Sequence, residues 1–172
     1  MFTNITNLEI TLKKFYVNLY TNKLFMSVLR ITKEFRFEGA HALAGYDGRC
    51  RNIHGHSYIM YITVKGEPLN GTNSPKEGMV VDFKELKSIV NENIIDKFDH
   101  ALILRNDTPL AQELAASYPN VIMVDFQPST ENLICHFADV LKEKMPQGAE
   151  LFSIKMHETA GSFAEWYASD NI

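Results

Sequence analysis

The sequence predicts an α+β domain, an antiparallel sheet covered by helices on one face, and three observations carry that prediction. Residues 31–39 set Ile31, Lys33, Phe35, Phe37 and Gly39 against Thr32, Glu34, Arg36 and Glu38, the two-residue period of a half-buried strand. From about His56 to Lys65, Tyr58, Met60, Ile62 and Val64 repeat that period, on the parity of His54 and His56. Phe83, Leu86, Ile89, Val90 and Ile94 then recur at helical spacing behind Asp82, an N-cap with Glu85 three residues on. Strands and helices that each carry one apolar face stack into layers.

The other elements follow in order. His41 continues the parity of Phe35 and Phe37, and a loop with Gly45, Asp47 and Gly48 leads to the second strand. Turn chemistry at Pro68, Asn70, Gly71, Asn73 and Pro75 makes residues 66–78 a loop. The helix runs over about 83–97, and a short helix follows Pro109. A strand is expected at Val121–Phe126, then a helix capped by Ser129 or Thr130 with Leu133, Ile134, Phe137 and Leu141 on its apolar face. Residues 151–158 read as the last strand.

A chain of 172 residues with 45% hydrophobic content has the size and the core of one domain. Residues 26–172 are expected to form it. The first 25 residues, rich in Asn, Thr, Lys and aromatics, read as an N-terminal extension, a mis-assigned start or a poorly ordered segment, and a clean strand pattern begins after Met26. They lack the pattern of a signal peptide. A net charge of −4 argues against nucleic acid and anionic membrane as partners, and no apolar run is long enough to span a bilayer. A small molecule is the expected partner. Cys50 and Cys135 are too few for a disulfide framework and fit a reducing cytoplasm.

The densest cluster of metal-competent groups is Cys50-Arg51-Asn52-Ile53-His54-Gly55-His56, with His41 upstream. Histidines two apart on an extended segment point to one side, roughly 6–7 Å apart along the backbone. A third imidazole from the neighbouring strand makes a three-histidine set for zinc with a fourth position open to water or substrate, the arrangement of catalytic sites. If Cys50 fills that position, the site is closed and structural, and the protein is a non-catalytic zinc-binding oligomeric module.

Six short segments occur together: Phe37-Glu38-Gly39-Ala40-His41; Cys50 to His56, with three residues between Cys50 and His54; Gly78-Met79-Val80-Val81-Asp82-Phe83; Phe98-Asp99-His100; Pro128-Ser129-Thr130-Glu131-Asn132; and His157-Glu158-Thr159. Their order resembles the 6-pyruvoyl-tetrahydropterin synthase and 6-carboxy-tetrahydropterin synthase family, from about residue 30 to the end. The resemblance implies a tunnelling fold, in which four-stranded antiparallel sheets from several subunits form a barrel and two trimers stack into a homohexamer. It implies zinc on His41, His54 and His56, Cys50 as the proton-abstracting thiolate, Asp99 with His100 as a proton-handling pair lent to a neighbouring subunit, and Glu158 as the pterin anchor. The three-residue separation from Cys50 to His54 resembles the carboxy-forming branch, which takes 7,8-dihydroneopterin triphosphate to 6-carboxy-tetrahydropterin, acetaldehyde and triphosphate in queuosine biosynthesis. The pyruvoyl-forming branch shares metal, substrate and base.

Chemistry supports several of these roles independently. A pterin offers a 2-amino group and a ring N–H, two parallel donors that match one carboxylate, and Glu158 shares strand parity with Phe152, Ile154 and Met156. A nearby metal together with Arg49 and Arg51 favours the Cys50 thiolate. Asp99 and His100 are adjacent, and neighbours on an extended chain point apart, so by themselves they read as a capping Asp and a packed His. Cys135 is expected in the core of its helix, His136 on that helix's polar edge, and His157 facing away from Glu158.

Overall fold

Strand β1, Leu29–His41, and strand β2, His54–Gly66, pair antiparallel along their whole length, with Leu29 opposite Gly66 and His41 opposite His54. The computed structural model describes residues 10–14, 16, 27–70 and 73–171, so most of the expected extension over residues 1–25 lies outside the described residues. Along β1 the alternation appears as read: Phe35, Phe37, Gly39 and His41 are buried while Arg36 and Glu38 are exposed. Tyr58, Met60, Ile62 and Val64 of β2 join them on one face.

The next element is helix α1, Phe83–Val90, with the Asp82 carboxylate accepting from the Lys84 N–H at 2.8 Å as its cap. The run expected to be one helix widens into a π-helical turn at Asn91–Ile95 and ends in a single turn, Asp96–Phe98. Leu86, Val90 and Ile94 are fully buried, whereas Phe83 is exposed. After α1 come β3, Ala101–Arg105; α2, Pro109–Ser117; β4, Val121–Val124; α3, Thr130–Lys142; β5, Ala149–Thr159; and β6, Ser162–Tyr167. Ser129 caps α3, and Leu133, Ile134, Phe137 and Leu141 are buried as expected. Among the described residues no helix is long and apolar enough to cross a membrane.

The sheet has six strands in the order β4-β3-β1-β2-β5-β6. Its antiparallel part is four-stranded, β1, β2, β5 and β6, and two strands are added in parallel on the β1 side. Two strands were not anticipated. Ala101-Leu102-Ile103-Leu104 is a short apolar run without alternation, because Ile103 packs into the main core while Leu102 and Leu104 pack with Ala111 of α2 into a second cluster. Successive residues of a strand face opposite sides, so α2 covers the reverse face of β3 and β4, while α1 and α3 cover the main core. Strand β6 follows a tight hairpin, Thr159 pairing with Ser162 across Ala160 and Gly161.

The register of β5 is broken at two points, at Phe152 against β2 and at Glu158 against β6. Val64 pairs with Leu151 but Thr63 with Ser153, so Phe152 is an extra residue, a bulge. Phe152 therefore leaves the face of Ile154 and Met156 and meets Arg30 and Tyr167 instead. Glu158 keeps the core-side parity of Ile154 and Met156, while His157 turns away against Tyr61 and Phe163. The helix positions of Cys135 and His136 are the reverse of expectation. Cys135 is exposed, and His136 packs on Phe98, Phe126 and Phe137, because its position in the turn abuts the buried Phe137.

Candidate functional site

Strand pairing assembles the histidines. His41 stands opposite His54, and His56, two residues along on the same face of β2, stands opposite Gly39, whose missing side chain leaves room beside the ring of Tyr58. One ligand nitrogen from each of His41, His54 and His56 lies within 4.8 Å of the other two. Cys50 is not part of this group.

Hydrogen bonds prepare the rings. His41 Nδ1 lies 2.6 Å from the Pro128 carbonyl and His54 Nδ1 lies 2.8 Å from the Asn52 carbonyl. A carbonyl only accepts, so both Nδ1 atoms carry the hydrogen and both Nε2 atoms present lone pairs. Those two Nε2 atoms face each other at 3.2 Å, an arrangement of two acceptors that a shared cation relieves. His56 Nε2 is buried with no hydrogen-bond partner. Burial holds His41 and His56 below the ordinary imidazole pKa, which keeps them in the neutral form that binds metal. The donor set fits a zinc ion.

Glu158 reaches the same centre from β5. Its Oε1 accepts from the Thr130 hydroxyl at 2.9 Å and lies 3.6 Å from Nε2 of both His41 and His56. Because the imidazoles are neutral, these are polar contacts rather than ion pairs. The Glu158 charge reaches the Tyr58 hydroxyl, whose pKa is pushed up first by burial and then by that carboxylate. Thr130, anticipated only as a possible cap, thus bonds the carboxylate of this candidate site.

Cys50 sits half-buried in a short 3-10 turn, Arg49–Arg51, in the loop between β1 and β2. The loop is closed by the Leu43 N–H donating to the Cys50 carbonyl at 2.9 Å. Gln127 approaches it from the segment before α3.

Asp99 and His100 lie on the other side of the sheet's end. The Asp99 carboxylate accepts from the Glu38 N–H at 2.9 Å, and its second oxygen lies 3.0 Å from His100 Nδ1. The first contact, then the imidazole, holds the Asp99 carboxyl below the ordinary carboxylate pKa. His100 is not packed: its side chain is 75% exposed, at the rim of a cleft of about 680 Å³ lined also by Glu38, Gly55, Ser57, Tyr118 and Asn120. Within the chain, then, the histidine trio and Glu158 converge on the core side, and the Asp99–His100 pair opens to the reverse face.

A family model described as 6-pyruvoyl tetrahydropterin synthase matches residues 30–169. The chain is 34% identical over 143 residues to the 6-carboxy-5,6,7,8-tetrahydropterin synthase of Haemophilus influenzae, covering 81% of this chain and 99% of that protein. It is 28% identical over 142 residues to the protein of the same name from Rickettsia bellii, covering 80% and 99%. The fold resembles that of Caenorhabditis elegans 6-pyruvoyl tetrahydropterin synthase, with a TM-score of 0.62 over 84% of this chain and 98% of that one at 22% identity.

Proposed function

This chain belongs to the 6-pyruvoyl tetrahydropterin synthase family, and from that premise we propose that it is a zinc-dependent lyase converting 7,8-dihydroneopterin triphosphate to 6-carboxy-5,6,7,8-tetrahydropterin, acetaldehyde and triphosphate. The observation that carries the reading is the convergence of three imidazoles, two oriented by backbone carbonyls, beside the carboxylate of Glu158. The full-length relatives named 6-carboxy-5,6,7,8-tetrahydropterin synthase support the product, and with it a place in queuosine biosynthesis.

In this reading His41, His54 and His56 hold the metal. A zinc ion bound there would polarise the hydroxyls of the substrate side chain and acidify the adjoining C–H bonds. Glu158, held through one oxygen by Thr130, accepts the 2-amino and ring N–H donors of the pterin and so fixes its orientation. The Cys50 thiolate takes up the proton that leaves the side chain. Asp99 orients the His100 imidazole through Nδ1, leaving Nε2 to exchange a proton at the cleft. The opening of that pair onto the reverse face favours its serving a second subunit, in a cytoplasmic homohexamer whose sheets close into a barrel.

The description of the family model favours a second reading, 6-pyruvoyl-tetrahydropterin synthase, in which the side chain rearranges with loss of triphosphate and no C–C bond breaks. Incubating the zinc-loaded protein with dihydroneopterin triphosphate and identifying the products separates the two. Stoichiometric acetaldehyde with 6-carboxy-tetrahydropterin is expected. Accumulation of 6-pyruvoyl-tetrahydropterin without acetaldehyde establishes the second reading, and neither product sinks both.

A further inference from the structure

We propose that Gln127 is a positioning residue whose side-chain amide clips the Cys50 loop to the segment that orients His41, so that thiol and metal ligand are registered by one stretch of backbone. Gln127 Nε2 donates to the Ala44 carbonyl at 2.9 Å, and its Oε1 accepts from the Ala44 N–H at 3.1 Å. This is the pair of bonds that a neighbouring strand residue would make, here supplied by a side chain from 83 positions away. Each partner is satisfied only in this orientation of the amide.

Both ends of the clip are fixed. On one side, Tyr46 N–H donates to the Leu43 carbonyl at 3.2 Å and Leu43 N–H to the Cys50 carbonyl at 2.9 Å, so Ala44 sits inside a closed turn whose far end is Cys50. On the other, the Gln127 carbonyl accepts from the Ser129 N–H at 2.8 Å and from Asn132 Nδ2 at 2.9 Å, which ties Gln127 to the start of α3. The next residue, Pro128, offers its carbonyl to His41 Nδ1 at 2.6 Å. A movement of this segment therefore moves ligand and thiol together, and loss of the amide frees only the thiol. Only glutamine supplies a donor and an acceptor at this reach, since glutamate lacks the donor and asparagine is one methylene shorter.

The kinetic part rests on the reading of Cys50 as the base, whereas the loop's registration does not. The test uses the full chain with zinc and two variants: Gln127→Glu, which keeps the acceptor and sets a carboxylate against the Ala44 carbonyl, and Gln127→Met, which keeps the shape and neither bond. Iodoacetamide labelling is followed peptide by peptide, with the exposed Cys135 as internal reference. Labelling of Cys50 relative to Cys135 should rise about fivefold or more, the population change expected from one lost hydrogen bond. Zinc per chain stays unchanged, and kcat falls roughly tenfold to a hundredfold with KM little altered, as for a displaced reacting group.

The proposal is overturned if both variants fold with the wild-type Cys50 labelling ratio. It is equally overturned if zinc, thermal stability and both cysteines change together, or if neither variant folds, because Gln127 is then a general structural residue. Normal turnover by Cys50→Ala would remove the base assignment alone, leaving the labelling ratio to decide Gln127.

Discussion

His100 Nδ1 meets Asp99 Oδ2 at 3.0 Å although the two residues are adjacent in the chain. The contact depends on His100 adopting φ +59°, in the left-handed region, which turns its ring back over its neighbour. That conformation costs a non-glycine residue about 1–2 kcal/mol. It is offset by long-range bonds: the His100 N–H donates to the Glu38 carbonyl at 2.6 Å, and Asn120 Nδ2 donates to the carbonyls of Asp99 and His100 at 3.3 and 2.8 Å. Residues that their surroundings hold in such conformations cluster at functional sites.

Asp99→Asn should lower turnover by a factor of about 10²–10⁴, the usual weight of one proton-handling group. It should also leave a pH signature. The Asp99 carboxyl titrates lower in the folded protein than in the unfolded chain, so its contribution is fully present above the unfolded value and fades as pH falls through the folded one. Denaturant melts from pH 7 downward should show a wild-type advantage of at most about 1 kcal/mol, since the group is exposed, that closes in acid. A gap constant with pH would contradict the assignment.

Removing one imidazole from a three-ligand site should empty it. His54→Ala and His56→Ala are expected to weaken zinc binding by more than the roughly 10- to 100-fold that loss of a merely supporting partner costs. Metal content by atomic emission after gel filtration reads this directly, and full occupancy in both variants would dismiss the trio.

Cys50→Ala separates base from ligand. Because the thiol stands outside the converging donors, zinc content should match wild type while turnover falls by about 10²–10⁴. Stoichiometric loss of zinc would instead make the centre closed and structural.

Glu158→Gln should leave zinc bound and raise KM for the pterin, with kcat/KM down about tenfold to a hundredfold, the size of a lost charge-assisted pair. The amide still accepts from Thr130 but sets its own donor against those of the pterin. Unchanged kinetics would take Glu158 out of the site.

Local pattern was enough for β1, β2, α3, the start of α1 and the placing of the histidines on facing strands, because alternation and helical spacing are properties of near neighbours. The core-side placement of Glu158 was legible as well, although by counting from Phe152, which the bulge in β5 puts on the other face. Strand β3 escaped because both its faces are covered, which erases alternation.

What the sequence by itself determined is the chemistry available: three imidazoles at strand spacing, a thiol beside them, and a carboxylate at the end of an apolar strand. Tertiary structure alone decided how those groups are oriented. The carbonyl of Pro128 selects the tautomer of His41 across 87 positions, Thr130 reaches Glu158 across 28, and Asn120 holds the Asp99–His100 turn across about 20. Such bonds exist only once the sheet has folded, since nothing in the residues flanking His41 or Glu158 indicates which distant backbone or hydroxyl will arrive beside them.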